Sequence, residues 1–532
     1  MRLSNLLFCL TIKFYYLMNT SSNEIIYQIY PLTFSYSKGS KVDPYKGAYG
    51  NLKGITNQAS YIASLGVTSI WITPFYPWDE YGFGYDITDY CNVSPIFGTI
   101  EDFVELCKTY HALNIKVVID QVYNHCSNKH PWFKKSVKKI APYDDFFIWH
   151  DGKTKKNSPT PLPPNNWECK WSIDGDCAWR YHPERKAFYM HSFDYTMPNL
   201  NIENPLVQDE LLKIAKFWFD LGADGFRLDA VAHYAPDAKF RNNPLDENKK
   251  QIRIYDVNTL SGAKFVNRLQ DLCESYSNKK FLVLEYALKK DEQSVKRVRP
   301  IFEFCRAQHF YTGALKHSLA EFKEEIITTL KVSTNGSRIN WAISNHDAER
   351  AATRIFGKNY NQSKTLLLLS FLMTLPGSIC IYQGEEHGLP NPSDFNACKN
   401  KKNDPLNIWE KCNCPWDAAR TGFNETTLNM ALHPDKELFE MYQNHFKKDS
   451  HFNQTKALIK ERKQGIFHLP GMLTFLENVN NPEVLAYVRD FNDNKLKILC
   501  LYNFSNNDVT ITFSDKEYTI KAESYLHISL IS

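Results

Sequence analysis

Along this chain, short apolar runs alternate with longer stretches whose apolar residues recur at helical spacing. Ile25-Ile26-Tyr27-Gln28-Ile29-Tyr30, Val67-Thr68-Ser69-Ile70-Trp71-Ile72, Lys116-Val117-Val118-Ile119-Asp120, Gly225-Phe226-Arg227-Leu228-Asp229, Phe281-Leu282-Val283-Leu284-Glu285 and Trp341-Ala342-Ile343-Ser344 read as buried strands. Between them, residues 206–221 read as an amphipathic helix closed by Gly222. Strands that alternate with helices predict a parallel β/α architecture. The alternation breaks over 126–205, which is rich in Pro, Asn and Trp and includes Ser158-Pro159-Thr160-Pro161-Leu162-Pro163-Pro164. A long irregular segment after a strand is usually functional. A last helix is predicted over 455–464. Strand-like runs such as Val484-Leu485-Ala486-Tyr487-Val488 and Lys497-Ile498-Leu499-Cys500-Leu501-Tyr502 then predict a small β-sandwich over 465–532. No internal repeat is present beyond the alternation itself.

The strand ends carry the chemistry. Asp229 closes one apolar run two residues after Arg227, Glu285 closes another, and Asp347 follows a third in Asn345-His346-Asp347. Residues two apart share a strand face, so the Arg227 guanidinium is expected to hold the Asp229 carboxylate ionised and oriented. Taken alone, an Arg-Leu-Asp triplet is more often a structural ion pair. Three acids at three strand ends of one parallel sheet point instead to a single site.

The companions of these acids extend along the whole central chain. Asp120-Gln121-Val122-Tyr123-Asn124-His125, the 225–233 segment, Leu284-Glu285-Tyr286 and Asn345-His346-Asp347 resemble, in order, the four signatures of glycoside hydrolase family 13, the α-amylase family. Met197-Pro198-Asn199-Leu200-Asn201 and the 377–386 segment resemble two supplementary ones. Gly84-Tyr85-Asp86-Ile87-Thr88-Asp89-Tyr90 and Pro163-Pro164-Asn165-Asn166-Trp167 add a likeness to bacterial α-glucosidases and oligo-1,6-glucosidase-like enzymes, from about residue 24 to the C-terminus.

The resemblance implies a (β/α)8 TIM barrel formed by 21–125 and 206–464, with an inserted domain, 126–205, after the third strand and a C-terminal β-sandwich. It implies a retaining enzyme that cleaves α-glucosidic bonds in short oligosaccharides or sucrose by double displacement. Asp229 would attack the anomeric carbon. Glu285 would protonate the glycosidic oxygen and then deprotonate water, and Asp347 would be the third acid, gripping hydroxyls of the distorted ring. His125 and His346 would donate to sugar hydroxyls, Asp120 would hold another, Tyr85 would stack beneath the ring, and Arg227 would orient the nucleophile. The same chemistry with a sugar acceptor gives an isomerase or transglycosylase of the trehalose- or isomaltulose-synthase kind. A non-catalytic protein like the heavy chains of amino-acid transporters is the remaining alternative, but such proteins usually lack the complete acid set.

Two departures from the family pattern matter. Exo-acting members often carry an acid three residues before the stacking tyrosine and an arginine before a Pro-Met-x-Trp run. Here Gly82 stands at the first position, and Lys411 is the nearest cation to Cys414-Pro415-Trp416. Lysine cannot reproduce the planar bidentate contact of arginine, so strict preference for a single terminal glucose is not expected. The alternating positions of the family's ion-binding loop are Asp43, Tyr45, Gly47, Tyr49 and Asn51, of which only Asp43 and Asn51 suit a hard cation. Loss of that ion is expected, and no cofactor is.

Composition narrows the rest. A length of 532 residues with 43% hydrophobic content suits a barrel plus smaller units, and a net charge of +4 is too mild to imply a nucleic-acid partner. Aromatics at 14% permit sugar stacking without proving it. Thirteen cysteines, an odd number without Cys-x-x-Cys spacing, read as scattered and reduced, with Cys412 and Cys414 the nearest pair. Residues 1–20 hold a short apolar run interrupted by Lys13, too short to span a membrane. They read as a leader or as sequence upstream of a start at Met18. A cytoplasmic location is expected, or secretion if residues 1–20 act as a signal peptide. Seven Asn-x-Ser/Thr triplets do not decide this in an Asn-rich chain.

Overall fold

In the computed structural model the described residues are 23–530, apart from 36–41, 44–46, 49, 80–83, 155–160, 171–176, 287–291, 308, 314–316, 334–337, 392–446, 480 and 492–495. Eight parallel strands close a barrel: β1 (Ile25–Ile29), β2 (Ser69–Ile72), β3 (Lys116–Gln121), β4 (Gly225–Leu228), β5 (Phe281–Glu285), β6 (His309–Thr312), β7 (Ile339–Ala342) and β8 (Ser378–Tyr382). Each strand pairs with its sequence neighbour, and β1 pairs with β8. The six apolar runs read from the sequence all overlap barrel strands, with ends that agree to within two residues.

Alternation along each strand sorts side chains between two cores. Ile26, Trp71, Val118, Phe281, Val283, Tyr311, Ala342 and Cys380 pack together inside the barrel. Ile70, Ile72, Val117, Ile119, Phe226 and Leu228 point the other way, into the layer under the helices. On β4 this places Gly225 and Arg227 inward. Gly225 cannot carry a side chain, because a Cβ there would lie 2.7 Å from the Phe281 carbonyl oxygen. Arg227 is almost fully buried as a result.

The helix predicted over 206–221 is Pro205–Asp220, begun by Pro at its first turn and capped by the Asn204 side chain on the Leu206 N–H. Within 126–205, the strands Trp149–His150, Ala187–Met190 and Trp179–His182 form a small antiparallel sheet, its central strand Ala187–Met190. This sheet packs around Trp167, Trp179 and Phe188. The segment therefore has a core of its own, more ordered than its Pro-rich sequence predicts. After helix His451–Gln464, a four-stranded antiparallel sheet and the hairpin Val509–Phe513 with Lys516–Ile520 complete the chain. These two sheets share one apolar core. No helix among the described residues is long and apolar enough to cross a membrane.

Two buried arginines converge where helix Gln362–Met373 ends, Arg462 from the helix His451–Gln464 and Arg489 from the C-terminal sheet. Arg462 donates to the carbonyls of Met373, Leu375 and Gly377, and Arg489 to those of Thr374 and Leu469. They satisfy the carbonyls left open where helix Gln362–Met373 ends. Burial lowers their pKa to about 9 and about 10. Arg462→Met is expected to lower unfolding stability by about 2–4 kcal/mol, because it strands several buried carbonyls at once. A urea midpoint unchanged from wild type would rule out that fastening role.

No disulfide joins one described cysteine to another. Cys412, Cys414, Gly82 and Lys411 lie outside the described residues, as do Tyr45 and Tyr49 of the expected ion loop. Asn51 is engaged locally, its side chain accepting from the Gly54 N–H at 2.7 Å to cap helix Leu52–Asn57.

Candidate active site

The predicted acids converge at the C-terminal mouth of the barrel, where βα loops of this architecture gather catalytic groups. The strand register brings them together. Asp120 on β3 lies opposite Arg227 on β4, and Val283, two residues before Glu285 on β5, lies opposite Arg227 from the other side. Arg227 Nη1 donates to Asp229 Oδ1 at 2.7 Å and to Asp120 Oδ1 at 3.0 Å. Arg227 Nη2 lies 3.1 Å from Glu285 Oε2. One guanidinium thus binds three carboxylates from three neighbouring strands.

Ala230, next to the nucleophile candidate, turns into the left-handed region at φ 50°. Its N–H donates to Glu285 Oε2 at 2.8 Å. Arg227 and this N–H thus share one oxygen of the Glu285 side chain, and the carboxyl is about one-third exposed. Asp229 is far less exposed, at 8%.

The expectation that Arg227 would keep Asp229 readily ionised needs correction. Burial pushes the Asp229 carboxyl well above the usual range, the charges of Glu285 and Asp120 push it the same way, and Arg227 only opposes them. Burial likewise raises Asp120 to about 6, against Arg227 and Tyr85. One cation shared by three acids cannot offset the desolvation of all of them.

A second chain of hydrogen bonds carries the sugar-facing residues. Gln28 Nε2 donates to His346 Nδ1 at 2.8 Å, which leaves the ring hydrogen on Nε2. That nitrogen faces Tyr85 OH at 2.7 Å and Asp347 Oδ1 at 3.4 Å. Tyr85 OH in turn donates to Asp120 Oδ2 at 3.0 Å, and its ring stacks on His346. Asp347 is half exposed. His125 packs its ring against Phe193, and its Nε2 meets no protein partner among the described residues. Burial lowers its pKa to about 4, so it is neutral at ordinary pH.

Asp120 differs from expectation. It is fully buried, with its oxygens taken by Arg227, Tyr85 and the Trp71 Nε1–H at 3.3 Å, so in this structure it supports other residues from beneath. Trp71, Gln28, Phe193 and the Ala230 N–H were not identified from the sequence. Gln28 left one signal, a polar residue inside an apolar strand. Trp71 left none, since an aromatic residue in a strand reads as core.

Arg227 is expected to be the electrostatic keystone of the cluster. Replacing it with Met raises the folded pKa of Asp120 and Asp229 further. Carboxyls raised in the folded state favour folding below their unfolded pKa, near 4, and lose that advantage as pH rises through the folded values. Arg227→Met should therefore be about 3–5 kcal/mol less stable than wild type at pH 7, with the deficit shrinking toward pH 5. Urea unfolding at both pH values checks this, and an equal deficit at each would contradict it.

The alpha amylase catalytic-domain model matches residues 28–468. The chain belongs to the α-amylase family. It is a glycoside hydrolase of the kind represented by its α-glucosidase relatives. An α-glucosidase of Apis mellifera is 28% identical over 95% of this chain and 93% of its own. An amino acid transporter heavy chain of Rattus norvegicus is 32% identical over 75% of this chain and 58% of its own. Among solved structures, an α-glucosyl transfer enzyme is 26% identical with a TM-score of 0.78, covering 96% of this chain and 99% of that one.

Proposed function

We propose that this member of the family is a retaining α-glucosidase acting on short α-linked glucosides, with Asp229 as nucleophile and Glu285 as acid and base. The observation that carries this reading is the shared guanidinium: Arg227 bonds to both Asp229 and Glu285. Such close tethering favours the carboxyl spacing of about 5–5.5 Å used for covalent catalysis over the wider gap that admits a water between the acids. Asp229 attacks the anomeric carbon while Glu285 gives its proton to the leaving oxygen. Glu285 then takes a proton from water, which displaces Asp229. Two inversions return the α configuration.

His125 Nε2 supports the reading as a donor to a hydroxyl of the sugar held over Tyr85, and His346 supports it by aligning Tyr85 and Asp347 through its Nε2. Asp347, exposed beside His346, is placed to accept from hydroxyls as the ring distorts. The complete acid set argues against a non-catalytic role like that of a transporter heavy chain. Transfer to a sugar acceptor is the second reading, favoured by the structural likeness to an α-glucosyl transfer enzyme. Both readings share the first displacement and differ in what enters second.

Incubation with maltose, isomaltose, sucrose and soluble starch, followed by NMR of the first products, tests this. Release of α-glucose from at least one disaccharide, ahead of mutarotation, is the expected result. New oligosaccharides or an isomerised disaccharide in place of glucose would favour transfer. β-Glucose formed first from sucrose, or in excess of that carried by the reducing ends of maltose and isomaltose, would exclude retention, and no reaction by folded protein on any substrate would exclude the hydrolase reading in this form.

A further inference from the structure

Asp347 is held differently from the other two acids. Asp229 and Glu285 are fixed by Arg227, whereas the Asp347 carboxylate meets only His346 Nε2, at 3.4 Å, among the described residues. Its place must therefore be set by the backbone of its loop. That loop, 343–349, leaves β7 and runs into helix Ala351–Phe356.

Arg354, one turn into this helix, donates to the Glu349 carbonyl through Nη1 and to the Ile343 carbonyl through Nη2. These carbonyls lie at the two ends of the loop. A single planar guanidinium thus closes the loop that presents His346 and Asp347. The fastening extends outward. Ala351 N–H donates to Ser344 Oγ at 2.9 Å, and Arg350 Nη1 donates to the Gln383 carbonyl at 2.7 Å, just beyond β8. Gly384 leaves room for Arg350, since a Cβ there would sit 2.8 Å from Nη1, and its φ of +92° suits glycine. Behind the loop lies the buried Glu385, its carboxyl raised to about 7 by burial, with the charges of Arg350 and Arg354 opposing.

We propose that Arg354 is a positioning residue for the third acid: by bridging the Ile343 and Glu349 carbonyls it fixes the loop in which Asp347 can reach the distorting sugar. The inference rests on the reading of Asp347 given above. An error of about 1 Å in a catalytic group can cost about a hundredfold in rate. Asp347 works mainly in the transition state, so the loss belongs to kcat more than to KM. Lysine, with one ammonium and no fork, cannot hold two carbonyls in the same plane.

The decisive experiment is a double-mutant cycle on the full chain with α-glucosyl fluoride as substrate, combining Arg354→Gln and Arg354→Lys with Asp347→Asn. The expected result is a loss of about a hundredfold in kcat for Arg354→Gln in the wild-type background. In the Asp347→Asn background the further loss should be under about threefold, because residues acting through one another are not additive. Arg354→Lys should fall between, with the same dependence on Asp347. If Arg354→Gln does not fold, the lysine series decides by the same criterion. Losses that multiply equally in both backgrounds, or activity within about twofold of wild type, would overturn the inference while leaving the α-glucosidase reading intact. Absence of hydrolysis by wild type would overturn both.

Discussion

Asp229→Asn is expected to reduce kcat/KM on a disaccharide by about ten-thousand-fold or more, equivalent to about 5.5 kcal/mol of transition-state stabilisation. The amide keeps the shape of the carboxylate and can still accept from Arg227 Nη1, which reaches Asp229 Oδ1 at 2.7 Å. What it loses is the charge that forms the covalent bond. Stability should move the other way. Burial holds the Asp229 carboxyl well above its usual pKa, so the ionised group costs folding energy at neutral pH that a neutral amide does not. The variant should therefore unfold at the same or higher urea concentration than wild type at pH 7. Loss of activity with no loss of stability separates a nucleophile from a structural ion pair. Removing the side chain altogether, in an Asp229→Gly variant, adds a chemical test. Azide can enter the space left, attack the anomeric carbon and expel the alcohol that Glu285 protonates. The product is then β-glucosyl azide, formed by a single inversion. Activity of Asp229→Asn within tenfold of wild type would remove Asp229 from the mechanism.

Glu285→Gln should be nearly as damaging, but selectively. Glutamine has no acidic proton to give, so cleavage of maltose, whose leaving alcohol needs one, is expected to fall by about ten-thousand-fold. α-Glucosyl fluoride needs far less protonation, and its first displacement should survive to within about a hundredfold. The glucosyl-enzyme then accumulates, because no base remains to activate water. It appears as a burst of fluoride and as a protein mass increased by one glucosyl group. The geometry favours this division of labour. Arg227 and the Ala230 N–H both engage Oε2, so glutamine can keep a similar pose through its remaining oxygen. Equal losses on both substrates would show that Glu285 orients the site and is not the acid.

The sequence by itself determined the parallel β/α pattern and, through its resemblance to the family, pointed to the barrel and the candidate acids. Period-two and period-3.6 patterning is local, so β1 to β5 and β7 and the helix Pro205–Asp220 could be read directly. The spacing of Arg227 and Asp229 likewise fixed one shared face. Asp229, Glu285 and Asp347 could be found because each follows an apolar run in a recognisable motif. The sheet inside 126–205 was hidden, since strands as short as Trp149–His150 carry too few residues to show alternation. Only the tertiary structure decided how the site is held. That Arg227 serves Asp120 and Glu285 as well as Asp229 depends on which strands are neighbours and in what register, with Asp120 opposite Arg227 across 107 residues of sequence. The contributions of Trp71, Gln28 and the Ala230 N–H arise in the same way. The upward pull on Asp229 is a property of burial, which no short stretch of sequence encodes. Periodicity fixes which way a side chain points; barrel closure decides what it meets there.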